Sequence, residues 1–122
     1  MVHTWEPADG ERADPGSAQR LVDKLRAAGG ELVHVSADLA DPSTPAHLVD
    51  TARKAFGRLD IVLANHARSA QQSLEDLTAN ELDLTYAVNT RATLLLIRHF
   101  AAQVDGNTGG RVVLFTSGST TE

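Results

Sequence analysis

The chain has 122 residues, 42% of them hydrophobic, a formal net charge of −5 and no cysteine. That length suits one core and hardly two. The acidic balance argues against a nucleic-acid surface, and the lack of cysteine excludes disulfides and thiolate metal sites.

Residues 2–5 have the form of a short strand, and residues 6–16, rich in Pro, Gly and charge, read as a loop. Asp14-Pro15 opens a helix, with proline in the first turn where its missing N–H does no harm. Leu21, Val22, Leu25 and Ala28 mark the apolar face of that helix, and Gly29-Gly30 ends it. Residues 32–37 alternate as a strand, followed at once by Asp38. Asp41-Pro42-Ser43-Thr44-Pro45 starts a second helix, with Leu48, Ala52, Ala55 and Phe56 on one face and Gly57 at its close.

The run Leu59-Asp60-Ile61-Val62-Leu63-Ala64 is apolar after its acidic turn and ends in Asn65 and His66. A continuous run of this kind predicts a strand buried on both faces of a parallel sheet. Thr78-Ala79-Asn80-Glu81 has the form of a capping box. The helix it begins is expected over 79–104, with a stripe of Leu82, Tyr86, Asn89, Thr93, Leu96 and Phe100. Residues 111–115 form a last strand, which delivers Thr116-Ser117-Gly118 to the sheet edge. The order is (β)-α-β-α-β-α-β, an α/β domain with a parallel sheet and helices on its faces. No apolar run approaches membrane-spanning length, and the first five residues lack the regions of a signal peptide. The expectation is a cytoplasmic protein with neither nucleic acid nor membrane as partner.

In open α/β sheets, ligands bind beyond the carboxyl ends of the strands, where Asp38, Asn65, His66 and Ser117 all fall. Each also has a structural reading. Asp38 suits a turn that caps backbone amides, Ser117 a hydroxyl bonding its own loop, and His66 a solvent-facing loop histidine. Asn89 is a poor helix former on an apolar stripe, close to Thr90 and Thr93. Its structural reading is a hydrogen bond to an adjacent loop; its functional reading is a site held at some cost to the helix. The histidines lack metal-ligand spacing, so no metal is expected.

Four stretches together carry a resemblance: Ala37-Asp38-Leu39; Phe56-Gly57-Arg58-Leu59-Asp60-Ile61-Val62-Leu63-Ala64-Asn65-His66-Ala67; Val88-Asn89-Thr90; and Gly110-Arg111-Val112-Val113-Leu114-Phe115-Thr116-Ser117. In order and spacing they look like the middle of a short-chain dehydrogenase/reductase, over roughly residues 16–119. The resemblance implies a partial Rossmann-type doubly wound sheet in a single domain, residues 1–122, with a strand remnant and loop, partly disordered, over 1–15. It further implies hydride transfer between NAD or NADP and a small alcohol or carbonyl substrate. Asp38, with Leu39 beside it, matches the adenine-contacting aspartate, and Asn65, His66 and Ala67 stand in the motif beside the cofactor. Asn89 and Ser117 match the helix asparagine and the substrate-binding serine of the catalytic set. A homo-oligomer through helix 79–104 is the expected assembly.

The departures are specific. The family's Gly-x-x-x-Gly-x-Gly turn is absent; Gly106, Gly109 and Gly110 precede a strand, so they cannot cradle a pyrophosphate at a helix start. Ala67 stands where the family has glycine, and His66 adds bulk. Tyr86 is the only tyrosine, and Lys24 and Lys54 both precede it, so the Tyr-x-x-x-Lys pair is missing. The resemblance places the first strand between 2–5 and 59–64, so unpaired edges, low stability or self-association are expected, with no activity from the chain alone. Two other readings stand beside it. One is a small flavodoxin-like or receiver-like binding module, against which the absence of any lysine after Lys54 speaks for the receiver form. The other is a non-catalytic remnant kept for oligomerisation.

Overall fold

A computed structural model of the chain describes residues 1–5, 16–69, 72–104 and 109–116. Its elements follow the expected order: β1 (Val2–Thr4), α1 (Ser17–Ala27), β2 (His34–Ser36), α2 (Thr44–Phe56), β3 (Ile61–Ala64), α3 (Ala79–Tyr86), a π-helical segment (Ala87–Ala92), α4 (Thr93–Gln103) and β4 (Arg111–Leu114). Asp14 and Pro15, expected to open α1, lie outside the described residues.

Pairing is parallel, as expected, but the strands do not form one sheet. β1 pairs with β2, Val2 opposite His34 and Thr4 opposite Ser36. β3 pairs with β4, Ile61 opposite Arg111 and Ala64 opposite Leu114. The result is two two-stranded sheets. The break falls between β1 and β3, where the resemblance places the glycine-rich strand. Among the described residues each of these strands therefore keeps one edge without a ladder partner.

One core unites the two sheets. Leu39 after β2, Leu48 and Val49 of α2, Ala92 of the π-helical segment and Leu96 of α4 form a buried cluster, against which Val35, Leu59 and Val88 pack. α2 reaches it because its start is fixed: Asp41 Oδ1 accepts from the Ser43 backbone N–H and from the Ser43 hydroxyl, each at 2.7 Å. Pro45 then sits in the first turn, and Gly57 ends the helix at φ 81°. At the far side Gly110 admits the ring of Phe100, since a Cβ there would lie 2.7 Å from Phe100 Cζ. The glycine before β4 is thus a packing requirement.

Three expected faces are corrected. β3 is not buried on both sides: Ile61 and Leu63 are 50% and 61% exposed, and only Ala64 is buried. A parallel strand is covered twice only when layers stand on both faces of its sheet, and among the described helices β3 packs chiefly against α4. The face of α1 is narrower than expected, with Val22 buried but Leu21 and Leu25 exposed. On α2, Leu48 and Ala52 are buried as expected, whereas Ala55 is exposed.

The third helix departs most. Leu82, Tyr86 and Asn89, expected on its buried stripe, are exposed, whereas Glu81, Ala87, Ala92, Leu96 and Phe100 are buried. The cause is the π-helical segment, whose i→i+5 turns hold more residues than regular ones. The stripe that fits Leu96 and Phe100 therefore runs out of phase with the residues before it.

Leu48 is 2% exposed at the centre of the core, and Leu74 is 88% exposed. Leu48→Ala is expected to cost about 2–5 kcal/mol, read as a lower urea midpoint, while Leu74→Ala stays within about 0.5 kcal/mol. Similar losses for both would place the core elsewhere.

Candidate functional site

The π-helical segment is the meeting point of the polar residues. Asn89, within it, reaches the chain leaving β3. Its Oδ1 accepts from the Arg68 backbone N–H at 2.7 Å, and its Nδ2 donates to the Arg68 carbonyl at 2.9 Å. An amide that bonds both backbone groups of one residue imitates a strand neighbour. Arg91, two residues on, donates from Nη2 to the Ala40 carbonyl in the turn after β2. Arg91 Nε is buried and has no hydrogen-bond partner among the described residues. The segment thus ties the carboxyl end of β2 to that of β3.

Residue 68 is gripped by its side chain as well. The Arg68 guanidinium donates from Nε to Glu81 Oε1 at 2.8 Å and from Nη2 to Oε2 at 2.6 Å, a two-point fork of the strong charge-assisted kind. Thr85 donates its hydroxyl to the same carboxylate at 3.3 Å. Hydrogen bonding by Arg68 holds the Glu81 carboxyl below the usual range; partial burial works against it, and the Arg68 charge and Thr85 add to the lowering. The expected capping box is half formed. Thr78 Oγ1 accepts from the Glu81 N–H at 3.2 Å, but the Glu81 carboxylate turns to Arg68 instead of back to the Thr78 N–H. An arginine fork is the stronger partner. A hollow of about 300 Å³ lies beside this pair, between Leu77, Leu82 and Thr85.

His66 is half-buried, not the solvent-facing histidine expected. Its Nε2 lies 3.0 Å from Thr93 Oγ1, and the Thr93 hydroxyl donates to the Asn89 carbonyl at 3.0 Å. Burial pushes the imidazole below its ordinary range. The nearby His3 pushes the same way, and a hydrogen bond to the Val88 backbone opposes both. The ring is therefore neutral near physiological pH.

The remaining expected residues are placed separately. Asp38, half-buried, accepts from the Ala40 N–H at 2.7 Å, which is the turn-capping role. Beside it, the Ala37 carbonyl accepts from His3 Nε2 of β1 at 2.8 Å. Leu39 points into the core at 4% exposure, so its side chain is not a surface for a ligand. Asn65 and Ala67 are exposed at the end of β3. Ser117 lies outside the described residues, whose last strand, β4, is followed by the exposed Phe115 and Thr116. The structure thus gathers His66 and Asn89 with Arg68, Glu81 and Thr93, and leaves Asp38 in its own turn, linked to the segment through Ala40 and Arg91. Sequence reasoning missed Arg68, Arg91 and the partner role of Thr93. The low helix propensity around Asn89 was the signal for Thr93, while the Arg68–Glu81 fork joins residues whose pairing only the fold decides. Among the described residues no group of three or more His, Asp or Glu side chains could hold a metal ion, and no helix is long and apolar enough to cross a membrane.

A family model described as short chain dehydrogenase matches residues 12–122. The chain is 33% identical over 100 residues to the hydroxynaphthalene reductase-like protein Arp2 of Metarhizium anisopliae, covering 82% of this chain and 37% of that protein. It is 32% identical over 103 residues to elsinochrome reductase 1 of Elsinoe fawcettii, covering 84% of this chain and 38% of the relative. Among solved structures, it is similar to a short chain dehydrogenase from Burkholderia cenocepacia in complex with NADP: TM-score 0.76, 34% identity, 93% of this chain and 43% of that one. A short chain dehydrogenase/reductase from Burkholderia phymatum in complex with NAD aligns at TM-score 0.74 and 31% identity, over 83% of this chain and 36% of that one. The chain spans well under half the length of each.

Glu81 has a lowered folded pKa, so the stability it contributes is present above the ordinary glutamate range and is lost as pH falls through the folded value. Wild type should therefore be more stable than Glu81→Gln at about pH 7, and the gap should narrow as pH falls below the ordinary glutamate range. Thermal melts of the two proteins across this span measure it; a gap that does not change with pH would refute a role for the ion pair.

Proposed function

This chain belongs to the short chain dehydrogenase family, and on that premise we propose that it forms part of an NAD(P)(H)-dependent oxidoreductase transferring hydride between the cofactor and an alcohol or carbonyl substrate. The observation that carries the reading is the setting of Asn89, which by resemblance matches the family's helix asparagine: it lies in a π-helical segment whose side chains bind the exits of β2 and β3. Short π-helical stretches of this kind recur at functional sites. The relatives named as reductases support the carbonyl-reducing direction, and the neighbours in complex with NADP and with NAD support either nucleotide.

The residues fit one side of such a cofactor. Asp38 ends β2 with its carboxylate in the turn, and Asn65 is exposed at the end of β3. These two would hold the adenosine side, with the backbone at Leu39, His66 and Ala67 lining it. The chain carries no glycine-rich turn for the pyrophosphate. When bound, the nicotinamide supplies or accepts the hydride. Ser117 would hydrogen-bond the substrate oxygen and stabilise charge developing there, and the Asn89 carbonyl would hold a water of the proton relay. No residue here can act as the proton-exchanging tyrosine, which needs a neighbouring cation to lower its pKa; Tyr86 is followed by no lysine. The chain alone is therefore inactive in this reading.

Helix 79–104 supports self-association through the exposed Leu82, Tyr86 and Leu94, at 54%, 59% and 60% exposure. Sedimentation velocity should show a dimer or larger species for the wild type and a smaller one for Leu94→Glu; equal masses would remove this helix as the interface.

Calorimetric titration of the chain with NADH or NADPH should give weak binding or none, because the pyrophosphate donors are missing. Micromolar binding that vanishes in Asp38→Ala would instead show that the adenosine side suffices. In a catalytically active form, Ser117→Ala should lower kcat by about 10²-fold or more with cofactor affinity unchanged, and near-normal turnover would move the role to Thr116 or Ser119.

A further inference from the structure

The segment leaving β3 holds Asn89 at two places. Besides the amide grip on the Arg68 backbone, the Asn89 carbonyl takes the Thr93 hydroxyl at 3.0 Å, and the Thr93 oxygen lies 3.0 Å from His66 Nε2. A hydroxyl has one proton and two lone pairs. With its proton on the Asn89 carbonyl, the Thr93 oxygen accepts from His66 Nε2–H; in the other tautomer the ring hydrogen is on Nδ1 and the Thr93 hydroxyl turns from the Asn89 carbonyl to Nε2. In the first arrangement the bonds run in one direction: His66 Nε2–H to Thr93 Oγ1, and Thr93 O–H to the Asn89 carbonyl.

The local backbone explains why such a chain is needed. In a regular helix the Asn89 carbonyl would receive the backbone N–H of Thr93. Here that N–H turns to the Thr90 carbonyl. The Thr93 side chain still reaches back to the Asn89 oxygen, which its hydroxyl bonds at 3.0 Å. His66, half-buried, orients the hydroxyl from the other side.

We propose that His66 is a positioning residue for Asn89, fixing the direction of its carbonyl through the Thr93 hydroxyl and leaving the second lone pair of that oxygen for a further donor. The proposal rests on the reading of Asn89 as part of the reaction machinery, while the bonds themselves do not. The ionisable group bearing on the ring is His3 from β1; the π-helical segment and α4 present Val88 and Thr93, which carry no charge.

Nuclear magnetic resonance on the full chain tests this without cofactor or turnover. In the wild type the neutral His66 ring should be the Nε2–H tautomer. His66→Leu and Thr93→Val should each move the Asn89 carbonyl carbon resonance in the same direction, and the double variant should move it no further than Thr93→Val alone. His66→Gln, whose amide can still donate, should restore the wild-type position. Exchange of the Arg68 amide should rise about three- to tenfold in His66→Leu, the scale of one hydrogen bond. An Nδ1–H tautomer, an Asn89 resonance indifferent to His66→Leu, or additive shifts in the double variant would each overturn the proposal. If His66→Leu does not fold, the wild-type tautomer and the Gln variant decide the matter. A chain that binds no dinucleotide would count against the cofactor reading and leave this result standing.

Discussion

The hydrogen bonding of one short π-helical segment ties the exits of two strands, β2 and β3, to one helix. Residues 87–92 leave the regular helix pattern, and in doing so aim Asn89 at the exit of β3 and Arg91 at the exit of β2. The same segment contributes Ala92 to the core, with Val88 packed against it. A regular helix through these residues would carry the stripe of Leu96 and Phe100 back to Asn89 and bury its amide among apolar side chains, where an unpaired amide is costly. The π-helical departure resolves that conflict: the core keeps its small apolar residues and the amide goes to the loop.

That resolution also marks what the sequence could and could not convey. The strands were legible because short apolar runs bounded by turn residues leave few alternatives, and the helix ends because Pro45, Gly57 and the Thr78 cap act locally. Asp38 was legible as a turn residue because its partner is two residues away. The exposure of Ile61 and Leu63 was not, since burial on both faces is a property of neighbouring layers and not of the strand. The π-helical segment was visible only as a weakness around Asn89, Thr90 and Thr93, with nothing to say which way the helix would yield. The Arg68–Glu81 fork was invisible, because its residues pair only when the loop after β3 folds back on α3.

Family membership and the gathering of His66, Asn89 and Thr93 bear on different parts of the chemistry. In the proposed reading the chain would supply the adenosine side and part of the relay, and its sequence carries neither the family's glycine-rich turn nor the Tyr-x-x-x-Lys pair. Its two separate parallel sheets express the same division in backbone form. The core of Leu39, Leu48, Val49, Ala92 and Leu96 spans both halves, so packing and not a shared ladder holds them together.

A second amide repeats the device at the opposite end of β3. Gln103, at the end of α4, accepts from the Leu59 N–H at 3.2 Å and donates to the Leu59 carbonyl at 3.0 Å, as Asn89 does for Arg68. The helical stretch from Asn89 to Gln103 therefore acts as a gauge for the chain between residues 59 and 68. Adding or removing one residue inside that interval would detach one end of the gauge. It would also exchange the faces of every strand residue beyond the change, because strand side chains alternate with a period of two. Substitutions can be absorbed between these two grips; changes of length cannot.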